Sequence, residues 1–288
     1  MRLGAVVDGS SGFAAQLPVS SGKTASPGEV RTDGLRQSAL TLDVLGCSGT
    51  YPTSGQPASG YLLSHGITRI MCDAGFGTFA ELMGRMEPDQ LDAVVLSHRH
   101  PDHCIDFLAL HHALAYGPYE RVGLPVFCAP GLASRLAEFV GAGEGHSFHR
   151  IFDFHEVGET NHVIVGTFDL RFAVAAHSVP TVATRFEADG RSLTYSADTG
   201  PGGGFPGLAR GSNVMLCEAS IEGERGDHHF IHHLTATEAG QIAHDAEVET
   251  LILTHLPPSL DRAQSVAKAR EVFGGTVELA SPGDVFEV

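Results

Sequence analysis

From Ala39 onward the apolar residues fall into short groups, and the spacing inside each group predicts an element. The segment "LTLDVLGC" alternates apolar and polar positions as a half-buried strand does, and "GYLLS" and "ITRIMCDAG" continue as strands. In "FGTFAELMGRM" the period lengthens, and Phe76, Phe79, Leu82 and Met83 form a helical stripe. "DAVVLS" is a continuous apolar run, as in a strand buried on both faces. "CIDFLALHHALAY" reads as the helix after it. The second half repeats the alternation. "LPVFCAP" is a strand and "LASRLAEFV" a helix; "DLRFAVAAHS", "VATRFEA" and "SLTYSAD" read as antiparallel strands, the last two joined at the turn signal Asp189-Gly190. "NVMLCEA" and "ETLILTH" are apolar strands, and "DRAQSVAKAREVF" is the last long helix. "TATEAGQIAHDA" opens with Thr235 and carries Glu238 three residues later, a capping-box pattern. Alternating strands and helices predict an α/β fold with helices on both sides of its sheets.

Residues 1–38 show no such period and are rich in Gly, Ser, Thr and Pro, so a mobile tail is expected there, with one domain over 39–288. A chain of 288 residues can bury a sizeable core. No apolar stretch reaches the length of a membrane span, and Asp8 interrupts the start too early for a secretory signal.

Charge narrows the function. The net charge is −16, with only Lys23 and Lys268 as lysines and the arginines scattered singly. Phosphate backbones need clustered cations, so the balance argues against a nucleic-acid binder. Five cysteines, none in a CxxC pair, fit a reduced, cytoplasmic chain. Cys104 follows His103 but reads as a small buried side chain at the start of a helix.

The candidate chemistry lies at strand ends. His98 follows "VVLS", His177 follows "FAVAA", Asp198 follows "LTYSA" and His255 follows "LILT". In open α/β sheets, sites form beyond the carboxyl ends of strands, so the four are expected to converge. In "SHRHPDH", His98 and His100 are two apart and point the same way in an extended segment, where they can share a metal. Asp102 and His103 lie past Pro101 and can face a second ion. Imidazole and carboxylate together suit Zn²⁺, Mn²⁺ or Fe. A HxHxDH pattern would arise by accident in roughly one chain in a few hundred of this His content. Arg99, between two of these histidines, is expected to point away from them into a salt bridge.

"SHRHPDH" resembles the signature of the metallo-β-lactamase superfamily, and "AAHS", "YSADTG" and "LTH" follow in that family's order over residue 40 to the end. The resemblance implies an αββα four-layer sandwich of two mixed sheets, with a dinuclear centre at one edge. It implies His98, His100, His177 and Asp198 around one divalent ion, and Asp102, His103, Asp198 and His255 around the other, Zn²⁺ first among the metals. An aspartate as a bridging ligand in "ADTG" points away from lactam hydrolysis, toward the phosphodiesterase branch. "LGCSGTYPTSGQPASGYLL", "CEAS" and "HLT" are similar to motifs of ribonuclease Z and its relatives.

Departures refine this. Ribonuclease Z inserts a long tRNA-binding arm between the third histidine and the bridging aspartate, whereas His177 and Asp198 are only 21 residues apart. The opening loop "PTSGQPASG" lacks basic residues. "HLTATEAG" and "LILTHLPP" resemble the cyclic nucleotide phosphodiesterases of actinobacteria. The expected reaction is cleavage of a small cyclic phosphodiester by hydroxide held between two ions about 3.5–4 Å apart. His233 is the expected general acid, and Glu218 orients it or shares its proton with Asp102. His228, His229 and His232 read as surface residues. The alternatives are a tRNA 3′-end endonuclease, an ester, lactone or lactam hydrolase on the same metals, and a non-enzymatic metal-binding module. Dimers are common in the family, but nothing in the sequence independently marks one.

Overall fold

The computed structural model describes residues 39–159, 161–227 and 231–288, so the expected tail over 1–38 lies outside the described residues. Strands β1 (Thr41–Gly46), β2 (Gly60–His65) and β3 (Thr68–Cys72) form a meander that leads to helix α1 (Thr78–Met83). Strand β4 (Ala93–Leu96) is followed by α2 (Pro101–Cys104) and α3 (Phe107–Tyr116). Strand β5 (Leu124–Cys128) is followed by α4 (Leu132–Phe139), α5 (Ser147–Ile151) and β6 (Phe152–Glu156). A second meander holds β7 (His162–Val165), β8 (Phe168–Val174), β9 (Val182–Ala188) and β10 (Arg191–Tyr195). Then come α6 (Phe205–Leu208), β11 (Val214–Glu218), α7 (Ala236–Asp245), β12 (Thr250–Thr254), α8 (Arg262–Phe273), β13 (Thr276–Leu279) and β14 (Val285–Glu287).

The strands build two seven-stranded sheets, ordered β14-β1-β2-β3-β4-β5-β6 and β13-β12-β11-β10-β9-β8-β7. In the first, antiparallel pairing from β14 to β3 gives way to parallel pairing from β3 to β6. The second repeats the scheme, antiparallel from β7 to β10 and parallel from β10 to β13. Parallel neighbours need a crossover, and the helices supply it.

Strand alternation decides which core each residue enters. Ala93 and Val95 of β4 join the core between the sheets, while Val94 and Leu96 join the cluster under α3 and α4. From the second sheet, Phe172, Phe186 and Leu216 meet that central core, while Met215 and Cys217 pack against α7 and α8. Three apolar seams thus hold four layers in the order αββα. Full burial of a side chain such as Phe186 contributes about 1.5–3 kcal/mol.

Several local expectations hold. Ala188 pairs with Arg191 across Asp189 (φ 48°) and Gly190 (φ 75°), two left-handed residues as a tight hairpin turn requires. Thr235 and Glu238 close a reciprocal capping box on α7. Others are corrected. The helix expected over "CIDFLALHHALAY" is broken, because Asp106 turns aside to donate its N–H to the Ala74 carbonyl and accept the Phe79 N–H. Met83 is exposed, although Leu82 beside it is fully buried. Among the described residues no helix is long and apolar enough to cross a membrane.

Candidate metal centre

Strands β3, β4, β8, β10, β11 and β12 run in directions that bring their carboxyl ends to one rim of the sandwich, and each delivers a polar residue there. These are Asp73, His98, His177, Asp198, Glu218 and His255. Asp73 (φ 58°), Ala197 (φ 53°) and His255 (φ 55°) are left-handed, each just past a strand. Such a conformation costs about 1–2 kcal/mol in a non-glycine residue, and its recurrence at one rim fits a site held by its surroundings. Glycines let the loops close on one another: a Cβ on Gly75 would lie 2.0 Å from the Asp102 carbonyl oxygen, and one on Gly49 would lie 2.4 Å from that of His255.

The expected ligands converge in two groups that meet at Asp198. His98, His100, His177 and Asp198 form one, and Asp102, His103 and His255 the other. His100 Nδ1 is 3.0 Å from His98 Nε2 and 3.1 Å from His177 Nε2. The two oxygens of Asp198 divide between the groups. Oδ2 lies 3.6 Å from His98 Nε2 and 3.9 Å from His177 Nε2, while Oδ1 lies 3.2 Å from His103 Nε2 and 3.5 Å from His255 Nε2. Asp102 Oδ2 is 3.8 Å from both His103 Nε2 and His255 Nε2.

The outer ring nitrogens are anchored. His98 Nδ1 meets Ser97 Oγ (3.0 Å), His255 Nδ1 meets Ser59 Oγ (2.8 Å), and His177 Nδ1 donates to the His232 carbonyl (2.9 Å). His103 Nδ1 meets Asp73 Oδ2 at 2.8 Å, and Asp73 also accepts from the Ser97 N–H, the Ser97 hydroxyl and the Tyr195 hydroxyl. Partners of this kind fix ring orientation and leave the opposite nitrogen for a ligand.

This donor set fits divalent ions. His103 Nε2 and Asp198 Oδ1 are buried without a hydrogen-bond partner, although only 3.2 Å apart. Unsatisfied buried polar atoms are costly, and a cation between them would satisfy both. The nitrogen separations around His100 are close to the edge of a tetrahedron with 2.0–2.1 Å bonds to Zn²⁺, about 3.3 Å. Burial, reinforced by His103, holds His98 well below its ordinary pKa; burial also lowers His100 and His177 and brings His255 down to about 4. Neutral imidazoles are what a metal requires. Burial opposes charge on His103 and Asp198 too, but their mutual attraction wins: His103 is raised and Asp198 lowered.

His233 sits beside both groups, with a ring nitrogen within ligand range of Asp198 and His255. Its Nδ1 is 3.0 Å from Glu218 Oε1, and Glu218 is fully buried. Burial disfavours the imidazolium, yet the Glu218 carboxylate outweighs it and raises His233 to about 9. Glu218 is held by the Thr199 N–H and the Ser220 hydroxyl. Asp102 makes no hydrogen bond to His233 or Glu218 among the described residues, so the geometry favours orientation of His233 by Glu218 over proton sharing through Asp102. His232 contributes its carbonyl to His177 rather than a surface side chain alone, and His228 and His229 lie outside the described residues. Arg99 is exposed and makes no salt bridge among the described residues, contrary to expectation, since the acid of its own loop, Asp102, faces His103 and His255 instead. Cys104 is buried, and burial pushes its thiol up to about 12, which matches the apolar reading. Asp73 went unnoticed in the sequence, although it follows an apolar strand as the other site residues do.

Residues 68–256 match the family described as "Beta-lactamase superfamily domain". The chain belongs to the beta-lactamase superfamily. Within the superfamily it is similar to an uncharacterized protein of Mycobacterium tuberculosis, 35% identical over 255 residues that cover 87% of this chain and 93% of that one. The "Probable metallo-hydrolase YhfI" of Bacillus subtilis is 28% identical over 86% of this chain and its own full length. The crystal structure of YhfI superposes with a TM-score of 0.76 at 26% identity, covering 87% of this chain and 100% of YhfI. A ribonuclease Z from Methanopyrus kandleri is 28% identical over 81% of this chain and 93% of its own. The fold and the family together make this chain a metallo-hydrolase of the superfamily.

Proposed function

We propose that this metallo-hydrolase is a phosphodiesterase that cleaves small cyclic nucleotides. The observation that carries the reading is Asp198, one carboxylate whose two oxygens face two separate sets of imidazoles. His98, His100, His177 and Asp198 would hold one divalent ion, and Asp102, His103, Asp198 and His255 the other. When bound, such a pair supplies Lewis acidity toward the phosphoryl oxygens and lowers the pKa of water between them.

The chain's own residues would do the rest. The buried Glu218 carboxylate, 3.0 Å from Nδ1, favours a protonated ring at His233. With Nδ1 on Glu218, the other ring nitrogen presents the proton to a leaving alkoxide. Ester oxygens that leave as alkoxides need this donor, whereas nitrophenolate needs it little. Glu218 orients the ring and, once the proton has left, keeps the remaining hydrogen on Nδ1, while Asp73 orients His103 through its Nδ1.

The chain between His177 and Asp198 supports a small substrate. It consists of β9, β10 and their two-residue turn, which leaves no arm to grip a tRNA. The net charge of −16 also opposes a long polyanion. The likeness to a ribonuclease Z favours phosphodiester chemistry and keeps tRNA 3′-end cleavage as the second reading.

The test is hydrolysis of 3′,5′-cyclic AMP by the protein loaded with Zn²⁺, and separately with Mn²⁺, beside an Asp198→Ala control. Turnover lost in the control supports the reading. Cleavage of precursor tRNA without cyclic nucleotide turnover would replace it with the second.

A further inference from the structure

We infer that Arg225 is the positioning residue for His233, holding the proton donor by its backbone while Glu218 holds it by its ring. The inference rests on the proposed role of His233.

Arg225 lies on the segment that leaves β11 after Glu218 and returns to α7. Its guanidinium makes a forked contact with Glu238: Nε donates to Oε1 at 2.6 Å and Nη2 donates to Oε2. The same Nη2 also donates to the carbonyl oxygen of His233. Glu238 is the capping-box residue of α7, whose Oε2 accepts the Thr235 N–H at 2.9 Å. One side chain therefore ties the outgoing strap, the His233 backbone and the start of α7 together.

Other contacts align the strap with the His233 segment. Ile221 donates its N–H to the Leu234 carbonyl at 3.0 Å and bridges Thr235. Glu224 lies 3.6 Å from Lys268 Nζ and accepts the Thr237 hydroxyl at 3.3 Å. These fix where the strap runs. Among the described residues they do not bond His233 itself, whose carbonyl takes the Arg225 donor and whose Nδ1 meets Glu218.

The residue type matters. A planar guanidinium can hold both carboxylate oxygens and still direct a donor at a third acceptor, whereas an ammonium is a point charge on a flexible stem. If Arg225 only stabilised the cap of α7, its loss would lower thermal stability and affect all substrates alike. If it positions His233, its loss must fall on the step that needs the proton.

The experiment compares Arg225→Ala, Arg225→Lys, His233→Ala and the Arg225→Ala/His233→Ala double variant in the full-length, Zn²⁺-loaded protein. Two substrates are used, 3′,5′-cyclic AMP with an alkoxide leaving group and bis(p-nitrophenyl) phosphate with a good one. The expected result is a fall in kcat of about tenfold or more for the cyclic nucleotide in Arg225→Ala, with the nitrophenyl diester within about threefold of wild type. Arg225→Lys should recover part of the loss, and the double variant should be no slower than His233→Ala, since both act through one proton. Equal losses on both substrates, or losses that multiply in the double variant, overturn the inference while leaving His233 in place. If His233→Ala itself shows no leaving-group bias, or cyclic AMP is not turned over, the proposed function falls and the ring N–H resonance of His233 decides the Arg225 contact. A displaced resonance in Arg225→Ala supports positioning, and an unchanged one overturns it.

Discussion

Asp73 Oδ2 lies 2.8 Å from His103 Nδ1, and both side chains are fully buried. The carboxylate also takes bonds from Ser97 and Tyr195, so it is fixed before any metal arrives. Asp73→Asn would present an amide in a pocket lined with donors and release the His103 ring. Affinity for the ion near His103 should fall about 10–100-fold, read by competition with a chelator. Unchanged affinity would remove Asp73 from the centre.

Gly75 is expected to be intolerant for a reason unrelated to turn geometry. A methyl there would meet the Asp102 carbonyl at 2.0 Å, and backbone cannot yield as a side-chain tip can. Gly75→Ala should displace Asp102, and the variant should bind less than the wild-type complement of metal while keeping its far-ultraviolet circular dichroism. Full metal content by elemental analysis would contradict this.

Glu218 should leave a signature in the pH dependence of stability after chelator treatment. His233 is raised in the folded chain to about 9, against about 6.5 when unfolded. The contribution is therefore fully present below about pH 6.5 and is lost as pH rises through about 9, with a size of roughly 3 kcal/mol. Urea unfolding across that window should show stability falling with pH in wild type and a flatter profile in Glu218→Gln. Parallel profiles would separate the two residues energetically.

Phe107 is fully buried and packs against Phe148, Phe152 and Phe154 on the outer face of the first sheet. Phe107→Ala should cost about 3–5 kcal/mol, from lost burial and the cavity left behind. Ligand geometry should survive, so metal content per folded molecule should match wild type while the denaturation midpoint drops. A loss below about 1 kcal/mol would mean that the cluster repacks.

The amino-acid pattern made β4 and β12 legible because "AVVL" and "LILT" are buried on both faces and interrupted by nothing polar. The seven proposed ligand histidines and aspartates stood out for the complementary reason, since four follow apolar strands and the other three crowd the loop beside His98. Strand β6, "FDFHE", was not legible: it is an edge strand with half-exposed and exposed positions and no aliphatic run. Strands β13 and β14 are short and solvent-facing on alternate residues, which local spacing alone does not separate from loop. Asp73 and Arg225 escaped because their partners lie 30 residues away at His103 and 13 residues away at Glu238, and only folding reveals those pairs.

The division of the ligands between the two sheets has a consequence for assembly. His98, His100, Asp102 and His103 come from the half built around the first sheet, and His177, Asp198 and His255 from the half built around the second. With the proposed ligand sets, neither half alone would complete the sphere of either ion, because Asp198 lies on the far side of the seam from the first cluster. Metal affinity in this chain is thus also cohesion between halves, and ions at the rim would rivet shut a joint that is otherwise held by apolar packing.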